Sequence, residues 1–296
     1  MPRKTIRTHI LEYLASELRV IAADWRIHIA YVRIARRHGY GLPDSTHANS
    51  VVSKLLANGQ LENIRDVRGV YRVVVPYASS LPSPDEVIIQ EANPTAVFGH
   101  LTAFAYHALT NEIPNTIYLY HTQKNTRRTP LGTMPDDWID VPQAIRRKPP
   151  SIGNRSVIWT QTKPEWDFGD MIGYAHGLPI YITDLEKTLV DSLRFPEKCG
   201  GLARIFTGWG KAADVMDLDR LIEYVERIGQ SLLRQRTGFV LERLVKSHSR
   251  LDEWASRSVR GSSAKLAANK TFSSTYSERW NLSINVPESL LALLKS

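Results

Sequence analysis

Helical spacing of apolar residues in three successive stretches, followed by two β-prone runs, most constrains how the first 80 residues fold. In each stretch apolar residues recur at intervals of three and four, the period of one helix face. The stretches are Ile6–Leu18, Ile27–Ala35 and Ala48–Leu56. Gly39, Gly41 and Pro43 break the chain between the second stretch and the third. The pattern predicts three helices, the third of which begins near Asp44 or Ser45.

The two β-prone runs, Leu61–Ile64 and Val70–Val75, predict a hairpin whose tip is Arg65–Gly69. Three helices followed by a basic hairpin is the order of a winged helix-turn-helix, in which the third helix enters the major groove of DNA. We therefore expect residues 1–80 to form a winged helix-turn-helix DNA-binding domain. A small α+β domain that contacts other proteins is the alternative.

The predicted DNA-contacting residues are basic, or are short and polar, so they approach phosphates and base edges without repulsion. Asp24 is the expected N-cap of the second helix. The contact residues are Arg33, Arg36 and Arg37 of the second helix, Ser45, Thr46, His47, Asn49, Ser50, Ser53 and Lys54 of the third, and Arg65 and Arg68 of the hairpin.

Positive charge is concentrated in this first segment. The chain has a formal net charge of +8, and residues 1–80 contain twelve Lys or Arg but only six Asp or Glu. A small basic domain suits a polyanionic partner such as DNA. A merely soluble basic surface would have the same composition, so charge alone does not decide between the two.

A Ser- and Pro-rich segment, Ser79–Pro84, predicts a linker to a second domain formed by residues 85–296. Mixed helix and strand patterns predict a larger α/β domain there, so the whole chain is expected to be α+β. The expected strands are Val87–Gln90, Thr116–His121, Val157–Thr162, Pro179–Ile182 and Trp280–Val286, and the expected helices include Thr95–Leu109, Leu218–Ile228 and Gly238–Val245.

Two basic clusters of the second domain have two open interpretations. They are Lys124, Arg127 and Arg128, and Arg146, Arg147 and Lys148. Each is either a solvated surface or an extension of the nucleic-acid contact.

The sequence offers few residues for catalysis. No phosphate-binding glycine loop, metal-ligand spacing or nucleophile elbow is present. A strand followed by Asp184, Glu186 and Asp191 could mark a nuclease site, but Thr183 and Glu186 also fit a capping box that opens a helix. We therefore expect no enzyme activity, no cofactor and no bound metal.

Several segments resemble the AbiEi family, the antitoxins of type IV toxin–antitoxin pairs, over about residues 45–245. The most specific is Tyr181–Asp191, which contains a Thr-Asp-x-Glu-x-Thr-x-x-Asp run like that of the family. Other similar segments are Gly99–Ala103 through His107 to Ile113-Pro114, Pro196 with Gly200-Gly201, Arg236–Phe239, and Arg68–Tyr71.

This resemblance implies a repressor that binds its own operator on double-stranded DNA. It also implies that residues 85–296 are the antitoxin domain, which counters a nucleotidyltransferase-like toxin and need not form a stable complex with it. A DNA-directed nuclease and a ligand-sensing transcriptional regulator are the alternatives. The single cysteine, Cys199, and the lack of an apolar run of ~18–20 residues favour a cytoplasmic protein without a membrane partner.

Overall fold

The computed structural model describes residues 4–75, 83–122, 128–139, 141, 146–259 and 264–295. The predicted linker residues Ser79–Pro82, and Lys124 and Arg127 of one basic cluster, lie outside this part of the chain. Helices and strands occur in both halves, so the fold is mixed α/β as the sequence predicted. No helix within the described residues has both the length and the hydropathy needed to cross a bilayer.

The chain divides into two compact units, each built from separate stretches of sequence. Unit 1 contains residues 1–96, 123–159 and 172–181, and unit 2 contains residues 97–122, 160–171 and 182–296. Residues 85–96, which follow the predicted linker, therefore lie in the same unit as the first 75 residues.

Unit 1 begins with the predicted order of three helices and a hairpin, plus one strand that the sequence pattern did not reveal. The elements are α1 (Ile6–Ser16), β1 (Ile21–Ala23), α2 (Asp24–His38), α3 (Ser45–Ala57), β2 (Leu61–Ile64) and β3 (Val67–Val73). Strand β1 pairs antiparallel with β3, which pairs antiparallel with β2. Buried Ile10, Leu14, Ile27, Leu55 and Val73 belong to one core beneath these elements.

Local signals set the ends of these helices. Asp44 caps α3 as expected, because its carboxylate accepts the backbone N–H of His47 at 2.7 Å. The expectation that Asp24 caps α2 is wrong: Ala23 is the N-cap, and Asp24 is the first helical residue. Gly39 ends α2 in the left-handed conformation, with φ +67°, that a glycine adopts without steric cost.

The hairpin is tighter than predicted. Strand β3 begins at Val67, so only Arg65 and Asp66 connect it to β2. Asp66 has a positive φ of 64°, which aspartate tolerates better than most residues in a two-residue turn.

The remainder of unit 1 contains a helix where a strand was predicted. Val87–Gln90 lie within helix α4 (Asp85–Ala92), so the strand expected there is wrong. Periodicity does not distinguish a short buried strand from a buried helix segment, and the run Val87-Ile88-Ile89 is such a case. A 3-10 helix (Pro135–Trp138) and the antiparallel strands β6 (Ser151–Ile152) and β7 (Arg155–Gln161) follow, and the last two residues of β7 belong to unit 2.

Strand β4 (Val97–Phe98), helix α5 (His100–Tyr106) and strand β5 (Thr116–His121) open unit 2. The predicted helix Thr95–Leu109 is therefore wrong in its first part, where β4 pairs antiparallel with β5. Strands β8 (Asp170–Ala175) and β9 (Leu178–Thr183) come next, and residues 172–181 of these strands belong to unit 1. Within unit 2, Phe98 of β4 pairs in parallel with Ile182 of β9.

Helices form most of the C-terminal part of unit 2 around a core that includes Trp209, Trp254 and Trp280. Helix α8 agrees with its prediction, whereas α9 begins seven residues before the predicted Gly238 and ends at Arg243. The predicted strand Trp280–Val286 is reduced to two residues, which pair with β10. The elements are α6 (Leu185–Arg194), α7 (Leu202–Ala212), α8 (Leu218–Ile228), α9 (Ser231–Arg243), α10 (Ser249–Ser256), β10 (Tyr276–Ser277), β11 (Leu282–Ser283) and α11 (Glu288–Leu291).

Candidate nucleic-acid interface

The outer face of α3 exposes every residue predicted on it to contact DNA. Ala48, Val51, Val52 and Leu55 are buried on the opposite side, which fixes the rotation of the helix. The exposed residues are Ser45, Thr46, His47, Asn49, Ser50, Ser53 and Lys54. This surface carries no carboxylate of its own within α3, although Asp44 lies at its N-terminal end.

Asp44 restrains the first turn of this face. Its Oδ1 lies 2.8 Å from Nδ1 of His47, in addition to accepting the His47 backbone N–H. The backbone N–H of His47 lowers the pKa of the Asp44 carboxyl, so this residue is negative at neutral pH. We therefore expect residues beyond the first turn, such as Asn49 and Lys54, to approach a polyanion most easily.

The β2–β3 hairpin presents its cations to solvent. The Arg65 side chain is 96% exposed, and its Nε lies 3.7 Å from Asp66 Oδ2, a weak ion pair at such exposure. Arg68 is also exposed. Arg72 of β3, which the sequence argument did not select, is exposed beside Glu62, its partner across the hairpin.

Two of the three predicted contact residues of α2 contact acidic or carbonyl groups of unit 1, and one of them, Arg36, is also exposed. Arg33 donates from Nε to Asp137 Oδ1 at 2.8 Å and from Nη2 to the carbonyl of Gly132 at 3.2 Å. Arg36 Nη1 lies 3.5 Å from the carbonyl of Asp136. The Arg33 guanidinium holds the pKa of the Asp137 carboxyl below its usual value. Arg37 is exposed.

Arg26 is a buried residue that anchors the start of α2. Its Nε donates to Glu91 Oε1 at 2.8 Å, and its Nη2 donates to the carbonyl of Leu131 at 3.0 Å. Trp25 Nε1 also donates to the Glu91 carbonyl, at 2.9 Å. Since Arg26 is 4% exposed and Glu91 2%, this ion pair fastens α2 to α4 and does not face a ligand.

The Thr183–Asp191 run of unit 2 forms a buried charged cluster. Asp191 is fully buried and accepts from Lys187, from Arg194 at 3.0 Å and from Tyr120 Oη at 2.8 Å. Burial opposes ionisation of Asp191, but Lys187 and Arg194 outweigh it and hold the pKa of this carboxyl below its usual value. The Asp191 side chain is out of reach of solvent.

The other two acids of the run also have structural partners. Asp184, and not Thr183, is the N-cap of α6, because it accepts the Lys187 backbone N–H at 2.8 Å. The predicted capping box is therefore wrong: Glu186 accepts the backbone N–H of Asp217 at 2.8 Å, and Thr183 hydrogen bonds with Thr188. Asp184 also accepts from Tyr224 Oη at 2.7 Å.

Two open clefts in unit 2 bear on ligand binding. One, of about 320 Å³, is lined by Arg204, Glu112 and Lys211 among others. Arg204 pairs with Glu112, and Lys211 Nζ lies 3.3 Å from Asn111 Oδ1. The other, of about 330 Å³, includes His248 and Arg279, which contact Asp219 and Asp252 respectively. These polar groups already satisfy one another, so neither cleft has the convergent polar groups typical of a small-molecule site.

No family model matches the chain, and no curated protein matches it. Among solved structures, the chain is similar to the crystal structure of the RV2827C protein from Mycobacterium tuberculosis. The two share 14% sequence identity with a TM-score of 0.54, over 99% of this chain and 96% of that chain. The likeness shows a common fold along nearly the whole length of both proteins.

Proposed function

We propose that this protein is a cytoplasmic, non-enzymatic AbiEi-like antitoxin that represses its own operon by binding double-stranded DNA. In this proposal α1 to β3 form a winged helix-turn-helix. Helix α3 lies in the major groove and the β2–β3 hairpin is the wing. The main observation in support of DNA binding is that α3 has an exposed face without carboxylates. The same unit contains a hairpin with exposed Arg65 and Arg68.

The topology of unit 1 supports this assignment of roles. The β2–β3 hairpin follows the three helices, and β1, between α1 and α2, pairs with β3 to make a three-stranded antiparallel sheet in the order β1-β3-β2. The hairpin therefore extends from a sheet that packs in the same core as α3. Short polar side chains such as Asn49 and Ser50 are suited to hydrogen bonds with base edges. Arg65 and Arg68 are suited to phosphates, which fix orientation on the duplex and carry no sequence information.

The antitoxin role is supported by the resemblance of Thr183–Asp191 to the AbiEi motif. The motif residues lie in the buried cluster of unit 2, where Asp191, Lys187 and Arg194 join α6 to Tyr120 of β5. A motif of this kind maintains the fold of its unit and does not itself contact the toxin. The proposed toxin is nucleotidyltransferase-like, and its neutralisation need not involve a stable complex.

The DNA-binding test uses the full-length chain and a labelled duplex from the region upstream of its own gene. Replacing both Arg65 and Arg68 with alanine should weaken binding to every sequence. It should also reduce the slope of log K against log salt by about 1.8, since each phosphate contact contributes ~0.9. If Asn49 contacts a base, Asn49→Ala should instead reduce the difference in binding free energy between the preferred duplex and other duplexes by about 1–3 kcal/mol.

The matched control for the arginine variant replaces two exposed cations of unit 2, Arg257→Ala with Lys270→Ala, and removes the same charge. It should keep the wild-type slope. A wild-type protein that binds no duplex, or an Arg65/Arg68 variant with an unchanged slope, contradicts the proposed function.

The antitoxin test co-expresses the chain with the product of the adjacent gene from an unrelated promoter and scores growth. Rescue by the wild type, and equally by the Arg65/Arg68 variant, is expected, because neutralisation does not depend on repression in this arrangement. Failure of the full-length chain to restore growth would remove the antitoxin role and leave the DNA-binding role to its own test.

A further inference from the structure

One residue of the basic run Arg146–Lys148 is anchored beside the hairpin strand β3. Arg147 Nη2 lies 3.1 Å from Asp24 Oδ2, and the other oxygen of that carboxylate accepts from Tyr71 Oη at 2.7 Å. The Arg147 backbone N–H donates to the carbonyl of Ala92 at 2.9 Å. Both the side chain and the backbone of Arg147 are therefore fixed within unit 1.

Gly69 shows how closely the guanidinium approaches the hairpin. A Cβ atom at this position would lie 2.3 Å from Arg147 Nη2 and 2.2 Å from Asp24 Oδ2. Gly69 also has a positive φ of 66°. A residue without a side chain is thus required for Arg147 to lie against the backbone between Arg68 and Val70.

The neighbours of these two contact points are cations that face solvent. Lys148 is exposed and Arg146 partly exposed on either side of Arg147, and Arg68 is exposed next to Gly69. Consecutive Cα atoms are ~3.8 Å apart, so the backbones of Arg146 and Lys148 are held within one residue of the hairpin contact. Asp24 pairs with Arg147, and Arg146, Lys148 and Arg68 are the neighbouring cations in the two segments.

We propose that Arg146, Lys148 and Arg68 together form a phosphate-binding surface for the DNA backbone next to the bases that α3 contacts. This inference rests on the proposed DNA-binding function. It assigns phosphate binding to the segment Arg146–Lys148, which is far from α3 in the sequence. Arginine and lysine at such a place bind phosphates independently of sequence and fix the orientation of the protein on the duplex.

The first experiment measures binding of a labelled duplex of arbitrary sequence by the full-length protein over a range of salt concentrations. Arg146→Ala combined with Lys148→Ala should reduce the magnitude of the salt slope by about 1.8, the value for two lost phosphate contacts. The thermal unfolding midpoint of the variant should stay close to that of the wild type, because the Arg147 contacts that anchor this segment are unchanged. The Arg257→Ala/Lys270→Ala protein is the matched control.

The outcomes separate this inference from the proposed function. If the Arg65/Arg68 variant loses slope and the Arg146/Lys148 variant does not, the DNA-binding function stands and the extended surface is wrong. If the control loses as much slope as the Arg146/Lys148 variant, the effect is one of total charge, and the extended surface is also wrong. If the wild type binds no duplex, the proposed function itself fails.

A second measurement does not depend on salt. The one native cysteine, Cys199, is buried, so a cysteine introduced as Lys148→Cys can be labelled selectively with a photo-crosslinker. Crosslinking to the duplex is expected at this position and not for Lys270→Cys. Equal crosslinking at the two positions, or none at residue 148 in a protein that binds DNA, overturns the inference.

Discussion

His100 is a buried titratable residue whose environment opposes protonation. It is fully buried, and its Nδ1 lies 3.2 Å from Tyr120 Oη in the cluster around Asp191. Burial lowers the pKa of His100 to about 3, so the imidazole is neutral in the folded protein at neutral pH. Its backbone has a positive φ of 51°, which asparagine tolerates better than most residues.

This environment predicts acid sensitivity that begins well above the pKa of carboxylates. Below pH ~6.5 the unfolded chain binds a proton at His100 that the folded chain does not bind, so the free energy of unfolding falls as pH falls. The contribution approaches about 1.4 kcal/mol per pH unit between about 6.5 and 3. Urea unfolding of His100→Asn from pH 7 to pH 5 should therefore show a shallower loss of stability than the wild type.

His176 provides the matched control, because it has a similar backbone, with φ +48°, but is exposed. His176→Asn should leave the pH dependence as it is in the wild type. If His100→Asn has the same pH dependence as the wild type, His100 does not stay neutral in the folded state.

At the scale of elements, the attachment of α2 to α4 depends on the buried Arg26–Glu91 pair. Glu91→Gln leaves the Arg26 guanidinium buried without its counter-charge, so we expect a loss of about 3–5 kcal/mol in the free energy of unfolding. Replacing both partners, Arg26→Met with Glu91→Leu, should recover much of that loss because no buried charge remains. Chemical denaturation of the three proteins measures the difference.

The partly exposed pair Arg155–Glu86 is the comparison for this prediction, with side chains 23% and 22% exposed. Glu86→Gln should cost less than about 1 kcal/mol, because exposed ion pairs contribute little. A loss for Glu91→Gln no larger than for Glu86→Gln would mean that the buried pair does not hold the two helices together.

Elements with strong local signals could be predicted from the sequence, and those decided by distant partners could not. Helix α3 has a clear apolar period and a capping aspartate, and it begins where expected. Strand β1 has only three residues, all buried, so it has no alternation to detect. Helix α4 contains the β-branched residues Val87, Ile88 and Ile89, which favour a strand in a local prediction. Its helical form depends on packing in unit 1.

The candidate site shows the same division. The exposed face of α3 follows from helical period alone, and the structure exposes all seven of its predicted residues. The roles of Arg26 and Arg33 depend on Glu91 and Asp137, which lie 65 and 104 positions away in the chain. No local sequence pattern distinguishes an arginine that binds phosphate from one that pairs with a carboxylate distant in the chain. The role proposed for Arg146 and Lys148 depends on the position of Arg147 beside Gly69, which is also distant in the chain.

For the whole molecule, these long-range contacts predict that the first 84 residues are not stable alone. A fragment of residues 1–84 lacks Glu91, Leu131 and Asp137, so one side of α2 loses its packing and its ion pairs. Hydrogen exchange should show much faster exchange of α2 amides in the fragment than in the full chain. Equal protection in the two would show that α1 to β3 fold independently of the rest of unit 1.

The interleaving of the two units also sets an order of events during synthesis. The last stretch of unit 1 ends at residue 181, and residues 97–122, already made by then, belong to unit 2. Chains emerge from the ribosome at ~5–20 residues per second, and domains generally fold as units. The Leu131 carbonyl that accepts from Arg26 is therefore made several seconds after Arg26. The proposed DNA surface is complete only when translation has reached Lys148, half of the chain. A nascent chain truncated before residue 128 would carry α3 and the β2–β3 hairpin without the contacts that Leu131, Asp137 and Arg147 make in unit 1.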